Sequence, residues 1–138
     1  MNLQNTHPSI RDLRRSARRQ IPHFVWEYLD SGTGQDHNMG RNRDALAEVV
    51  LNAAILGGPV TPDLTTRILG QEFAAPFGVA PIGMSGLIWP NAERLLAQTA
   101  REANVPYCLS TNANQPPEVV GPVAGDNGWV QLYNLVSR

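Results

Sequence analysis

Lysine is absent from this chain of 138 residues, and all eleven basic residues are arginine. Cysteine is nearly absent too, since Cys108 stands alone. A lone cysteine excludes a disulfide framework within the chain and is typical of a reducing compartment such as the cytoplasm. Charged residues make up only 17% of the chain and the formal net charge is −1. This balance gives no electrostatic reason to expect nucleic acid as a partner.

Metal-binding and membrane-spanning patterns are missing as well. Three scattered histidines, His7, His23 and His37, do not have the spacing of metal ligands, so we predict no metal site. The longest uncharged run, residues 73–91, contains three prolines and three glycines and therefore predicts strand and loop. Five arginines lie between Arg11 and Arg19. We predict a solvated first helix and a cytoplasmic protein, with attachment to a membrane surface as the alternative.

The first part of the chain, to about residue 60, has the pattern of a helical segment. Ser9 as an N-cap with Asp12, Pro22 in a first helical turn, and apolar spacing predict three helices, over residues 9–20, 22–31 and 36–49. Residues 65–74 predict a small hairpin that turns at Leu69-Gly70.

From Phe77 onward we predict alternating strands and helices. The strands are expected at residues 77–80, 107–109 and 129–133, and the helices at 91–104 and 117–123. In the first of these helices we expect a buried stripe of four residues: Leu95, Leu96, Thr99 and Ala103. Such alternation predicts an α/β fold with a parallel sheet, either doubly wound or a barrel. A barrel needs eight strands and roughly 250 residues, so the chain is expected to be a fragment or a small open sheet; its ending just after a strand favours the fragment.

Polar residues follow each predicted strand, at the end where parallel barrels carry their functional groups. Gly83, Ser110 and Gln131 lie in or next to these segments, and Tyr133 is expected to share a strand face with Gln131. Each of them has an ordinary structural explanation, as a turn, rim or packed residue. Taken together, the three strand ends favour a ligand site without identifying the ligand.

Five short motifs in order resemble the FMN-dependent 2-hydroxy-acid oxidases and dehydrogenases, a family that includes flavin-type lactate dehydrogenase, mandelate dehydrogenase and glycolate oxidase. The motifs are Tyr28-Leu29-Asp30-Ser31-Gly32, Asn42-Arg43-Asp44-Ala45, Ala80-Pro81-Ile82-Gly83-Met84, Leu109-Ser110-Thr111 and Gln131-Leu132-Tyr133. The resemblance covers residues 9–138 and implies one domain of the TIM (β/α)8 barrel type. Residues 1–60 would form its helical cap, and residues 61–138 would begin the barrel with about three βα units.

The resemblance also implies site residues and a cofactor, FMN. The backbone at Pro81, Ile82 and Gly83 would run along the flavin, Ser110 would hydrogen-bond its ring, and Gln131 its pyrimidine end. Tyr28 would bind the substrate carboxylate, and Tyr133 would reach both flavin and substrate.

The implied reaction is oxidation of an (S)-2-hydroxy acid, of the lactate or mandelate type, to the 2-oxo acid. The electron acceptor stays open, and the complete enzyme is expected to be a homo-oligomer. The family's catalytic histidine belongs to later strands, so this chain alone is expected to be inactive. Asn112 and Ala53-Ala54 depart from the family pattern, which leaves the substrate open. The alternatives are an FMN-barrel isomerase of the isopentenyl diphosphate type and a noncatalytic remnant that binds a partner through its sheet edge.

Overall fold

In the computed structural model, residues 6–53, 57–59 and 61–134 are described, and the chain divides into two units, Met1–Pro62 and Asp63–Arg138. Among the described residues, the first unit contains the helices α1 (Ile10–Ala17), α2 (His23–Asp30) and α3 (His37–Ala47). All three lie where the sequence predicts them, with ends that differ by one to three residues.

Capping and one ion pair organise the first two helices. The Ser9 hydroxyl accepts a hydrogen bond from the Asp12 amide at 3.3 Å, as the predicted N-cap requires. Arg14 donates to both carboxylate oxygens of Asp30, at 2.6 and 2.7 Å, and so connects α1 to the end of α2. This two-point pairing fixes the geometry more than a single contact would, although both groups are partly exposed and the net stabilisation is small.

The second unit begins with the predicted hairpin, formed by β1 (Thr66–Ile68) and β2 (Gln71–Phe73) in antiparallel register. Leu69 and Gly70 make the turn with φ of 52° and 85°. Positive φ at both central residues defines the tight turn whose twist matches that of a hairpin.

Three parallel strand segments follow. Val79 forms a single parallel bridge to Tyr107, and β3 (Tyr107–Leu109) pairs in parallel with β4 (Gly128–Val130). The connections contain a short helix α4 (Ser85–Ile88), then α5 (Ala92–Glu102), and later α6 (Pro117–Ala124) with a 3-10 turn (Gly125–Asn127). These are successive strand–helix–strand crossovers, as predicted.

The strands themselves are shorter than the sequence suggests. The first is reduced to the bridge at Val79, whose amide donates to Pro106 O at 2.8 Å. A Cβ on Gly78 would lie 2.5 Å from that same carbonyl oxygen, so only glycine allows this approach. The third strand runs over residues 128–130 rather than 129–133, although the Gln131 amide still donates to Leu109 O at 2.9 Å.

The core of the second unit lies between the strands and helices α5 and α6. It is formed by small and medium-sized apolar residues, which include Ala97, Ala100, Val105, Tyr107, Leu109, Val120 and Ala124. The predicted buried stripe of α5 is therefore wrong. Leu95 is 49% exposed, Thr99 and Ala103 are exposed, and Leu96 is only partly buried. Alanines face the strands because the helix packs too closely to accommodate leucine there.

No helix in the described part of the chain has the length and apolar character needed to cross a membrane.

Candidate functional site

The ends of the three parallel segments form one edge of the sheet, because parallel strands all point the same way. Residues that follow Val79, Leu109 and Val130 therefore meet there. This edge is where parallel α/β folds bind their ligands.

Ser110 and Gln131 meet directly at this edge. The Ser110 side chain is buried at 6% exposure, and its hydroxyl donates to Gln131 Oε1 at 3.3 Å. The Thr111 amide donates to the same oxygen, also at 3.3 Å. Because an amide N–H requires an acceptor, these contacts set which way the Gln131 side chain faces. The hydrogen bonds seen among the described residues use Oε1 and leave the Nε2 donors available.

The loop after the first strand is attached to the loop after the second. The Met84 amide donates to Asn112 O at 2.9 Å, directly after the segment Pro81–Gly83. In that segment Ile82 is exposed, while Pro81 and Gly83 are partly buried. The structure thus brings the predicted backbone segment and Ser110 onto neighbouring loops of the same edge.

A residue that the sequence did not indicate, Glu93 of α5, lies beneath these loops and is 1% exposed. Its Oε1 accepts from the amides of Gly86 at 3.1 Å and Asn114 at 3.0 Å. Burial disfavours the charge, but hydrogen bonds from backbone amides outweigh burial and hold the pKa of Glu93 below its ordinary value. Burial, together with the charge of Glu93, raises the pKa of nearby Tyr107 to about 12.

A pattern that would have found Glu93 is present in the sequence. Glu93, Ala97 and Ala100 are spaced i, i+4 and i+7, so they share one face of the helix. Two alanines on that face indicate close packing, which places the carboxylate in the interior.

The two tyrosines are less constrained. Tyr28 lies on α2 in the first unit and is 48% exposed. Tyr133 lies three residues beyond the end of β4 and is equally exposed. Their predicted contacts with substrate stay predictions.

The three histidines lie in the first unit. His23 is 3.7 Å from Glu27, and His37 contacts Gln35 at 3.1 Å. Among the described residues no group of three histidine, cysteine or acidic side chains could hold a metal ion.

Comparison with known proteins gives a consistent result. The profile of a family described as FMN-dependent dehydrogenase matches residues 17–138. An L-lactate dehydrogenase of Allorhizobium ampelinum is 35% identical over 130 residues, which are 94% of this chain and 34% of that protein. The chain therefore spans about a third of the length of this curated relative.

Solved structures resemble the chain over nearly all of its length. A mandelate oxidase with 3,3-difluoro-2-hydroxy-3-phenylpropionic acid matches 94% of this chain and 39% of its own, with a TM-score of 0.84 and 32% identity. A soluble mutant of the membrane-associated (S)-mandelate dehydrogenase from Pseudomonas putida matches 89% of this chain and 35% of its own, with a TM-score of 0.81 and 28% identity.

Proposed function

We propose that this chain, which belongs to the family of FMN-dependent dehydrogenases, takes part in oxidising an (S)-2-hydroxy acid to the 2-oxo acid as a part of a longer enzyme. Family membership is established by the match over residues 17–138. The expected fold is confirmed: the second unit carries the first three βα units of a (β/α)8 barrel. We further propose that residues 1–60 and 61–138 belong to one domain, as helical cap and start of the barrel.

The groups at the sheet edge fit the isoalloxazine ring system of a flavin, whose pyrimidine end carries hydrogen-bonding nitrogen and oxygen atoms. Gln131 offers unused amide donors, and Ser110 fixes the amide in place from a buried position. We assign Gln131 to a hydrogen bond with the pyrimidine end of the flavin and Ser110 to a hydrogen bond with its ring. The backbone of Pro81, Ile82 and Gly83 would run along the flavin. When bound, FMN supplies an acceptor for the two electrons that leave the substrate carbon. Donors aimed at the pyrimidine end stabilise the negative charge of the reduced ring.

The substrate side of the proposal uses the two tyrosines. Tyr28 would donate to the substrate carboxylate, and Tyr133 would donate to substrate and flavin. Exposed hydroxyls suit this role because a ligand can reach them. A general base must remove the proton of the substrate hydroxyl, and no histidine of this chain lies on or after a barrel strand. We therefore assign the base, and the arginines that would bind the carboxylate, to another part of the longer enzyme.

The observation that carries the proposal is the Ser110–Gln131 pair directly after the ends of two adjacent parallel strands, where the Gln131 amide donors have no partner among the described residues. An isomerase acting on a diphosphate is not favoured, because the relatives are lactate and mandelate enzymes. We also propose that the complete enzyme is a homo-oligomer in the cytoplasm, with attachment to a membrane surface as the alternative; one neighbour is a soluble mutant of a membrane-associated enzyme.

The test is anaerobic mixing of the full-length protein with L-lactate or (S)-mandelate while the absorbance of oxidised flavin is followed. Loss of that absorbance, with formation of the 2-oxo acid, is expected for at least one of the two acids. The (R) enantiomers serve as controls. A protein that purifies without FMN and cannot be reconstituted with it would contradict the proposal.

A further inference from the structure

The buried carboxylate of Glu93 has an arrangement that the proposed chemistry does not use. The residue is in the first turn of α5 and almost completely shielded from water. An ion in such a place is costly unless it is well hydrogen-bonded. Its second oxygen, Oε2, is buried and has no hydrogen bond of ordinary geometry among the described residues, although the buried Ser85 side chain lies near the carboxyl and also lowers its pKa.

The two bonds to Oε1 come from two different loops. Gly86 follows the first barrel strand and Asn114 follows the second, so a single oxygen atom connects consecutive βα loops. The Met84–Asn112 backbone bond, at 2.9 Å, joins the same two loops a short distance away. Together these bonds hold the loops at a fixed separation.

The loops are also in close contact at this point. A Cβ on Gly86 would lie 3.0 Å from the Cβ and Oδ1 of Asn114, which is tighter than an ordinary contact. The absence of a side chain at Gly86 lets its amide reach the carboxylate beside Asn114. The separation of the two loops therefore depends on the Glu93 carboxylate and on the position of the helix that carries it.

These same loops carry the segments assigned to the flavin. Pro81–Gly83 directly precedes Met84, and Ser110 precedes Asn112, whose amide donates to the Ser110 hydroxyl at 3.1 Å. A change in the spacing of the loops would move both segments. Ligand sites tolerate displacements of only about 0.5 Å before function suffers.

We propose that Glu93 is a positioning residue, whose buried carboxylate connects the first two βα loops and thereby sets the spacing of the two segments that face the flavin. This inference rests on the proposed function for the identity of the ligand. The connection between the loops, by contrast, does not depend on any ligand.

The variants to compare are Glu93→Ala and Glu93→Gln in the full-length protein, with Glu102→Gln as the matched control. Glu102 lies on the same helix and is exposed, and its side chain accepts a hydrogen bond from Gln98 at 2.8 Å, with no other partner among the described residues. The alanine variant removes the acceptor of two part-buried amides, those of Gly86 and Asn114. The glutamine variant keeps an acceptor at Oε1 but loses the charge, and hydrogen bonds to charged acceptors are roughly twice as strong.

Two readouts separate positioning from stability. The first is hydrogen exchange of the Gly86 and Asn114 amides in the FMN-free protein. The second is the FMN dissociation constant with the absorption spectrum of the bound flavin. We expect amide exchange to become faster and FMN binding to become weaker in the order wild type, Glu93→Gln, Glu93→Ala. In the alanine variant FMN binding should be weakened about ten-fold and the flavin bands should shift. The Glu102→Gln control should match wild type in both.

Faster exchange with FMN affinity and spectrum unchanged, within about two-fold, would mean that Glu93 is only structural. Unchanged exchange would refute the connection itself. If the alanine variant does not fold, the glutamine variant decides by the same criteria. If wild type binds no FMN, the proposed function fails together with the role assigned to Glu93 at the flavin, while the exchange data still show whether the carboxylate joins the loops.

Discussion

Replacing Gln131 by leucine should weaken FMN binding with only a small loss of protein stability. Leucine has nearly the same size but removes both halves of the amide. The acceptor half receives two bonds at 3.3 Å, from Ser110 Oγ and the Thr111 amide. Bonds of this length are at the weak end of the range, and Ser110 Oγ keeps its bond from the Asn112 amide. Their loss should destabilise the FMN-free protein by about 0.5–1.5 kcal/mol.

The donor half determines the effect on FMN. In the proposed complex Nε2 donates to the pyrimidine end of the flavin, and an unpaired polar group in a buried site costs about 1–3 kcal/mol. At 1.4 kcal/mol for each factor of ten, the dissociation constant should rise roughly five- to 150-fold. Titration of the FMN-free protein, followed by flavin fluorescence, measures this directly.

Gln131→Glu is the matched second variant because it separates the acceptor role of the Gln131 side chain from its donor role. It keeps an acceptor for Ser110 and Thr111 but replaces the donor with a negatively charged oxygen. We expect weaker FMN binding, and also a lower reduction potential, since the new charge opposes the charge gained on reduction. Wild-type affinity and potential in both variants would refute the assignment of Gln131 to the flavin.

Three further predictions test other parts of the molecule. Tyr28→Phe should raise KM for 2-hydroxy acids by about 5- to 150-fold, equivalent to 1–3 kcal/mol, without changing FMN content; steady-state kinetics with an unchanged KM would leave Tyr28 as a packing residue. Gly78→Ala should lower the melting temperature, because the new Cβ would lie 2.5 Å from Pro106 O and such overpacking costs about 1–3 kcal/mol. Gly40→Ala has open space around it and should raise the melting temperature slightly, because alanine favours a helix more than glycine does. Residues 1–138 expressed alone should be poorly soluble and hold no FMN, since the strand edges are open and Phe77 is 65% exposed; a yellow, monodisperse protein in gel filtration would contradict this.

Much of the secondary structure follows from local patterns. The hairpin turn at Leu69-Gly70 and the Ser9 cap lie where the sequence predicts them, because each depends on neighbouring residues alone. The limits of β3 also match the prediction. The limits of the other parallel strands could not be predicted in the same way. Val79 forms only a bridge, since pairing depends on how closely Gly78 approaches Pro106, a residue distant in sequence.

The candidate site likewise contains residues that the sequence predicts and one that it does not. Ser110 and Gln131 were identified by their positions at strand ends, and their contact follows from parallel pairing of β3 and β4. Glu93 was missed because an acidic residue in the first turn of a helix is usually explained by the helix dipole and solvent. Its burial depends on the tight packing of Ala97 and Ala100, which determines which face of α5 turns inward.

The hydrogen bonds among the residues of the site have a physical consequence for ligand binding. The groups proposed to touch the flavin are already oriented by protein bonds: Gln131 through Ser110 and Thr111, and the first loop through Met84 and Glu93. A site arranged in this way loses little conformational entropy when a ligand binds, so more of the interaction energy is available for affinity and for stabilising reduced flavin. In the proposed site, residues that do not touch the flavin would therefore contribute to its binding, and the loop connection through Glu93 can be measured in the FMN-free protein by amide exchange.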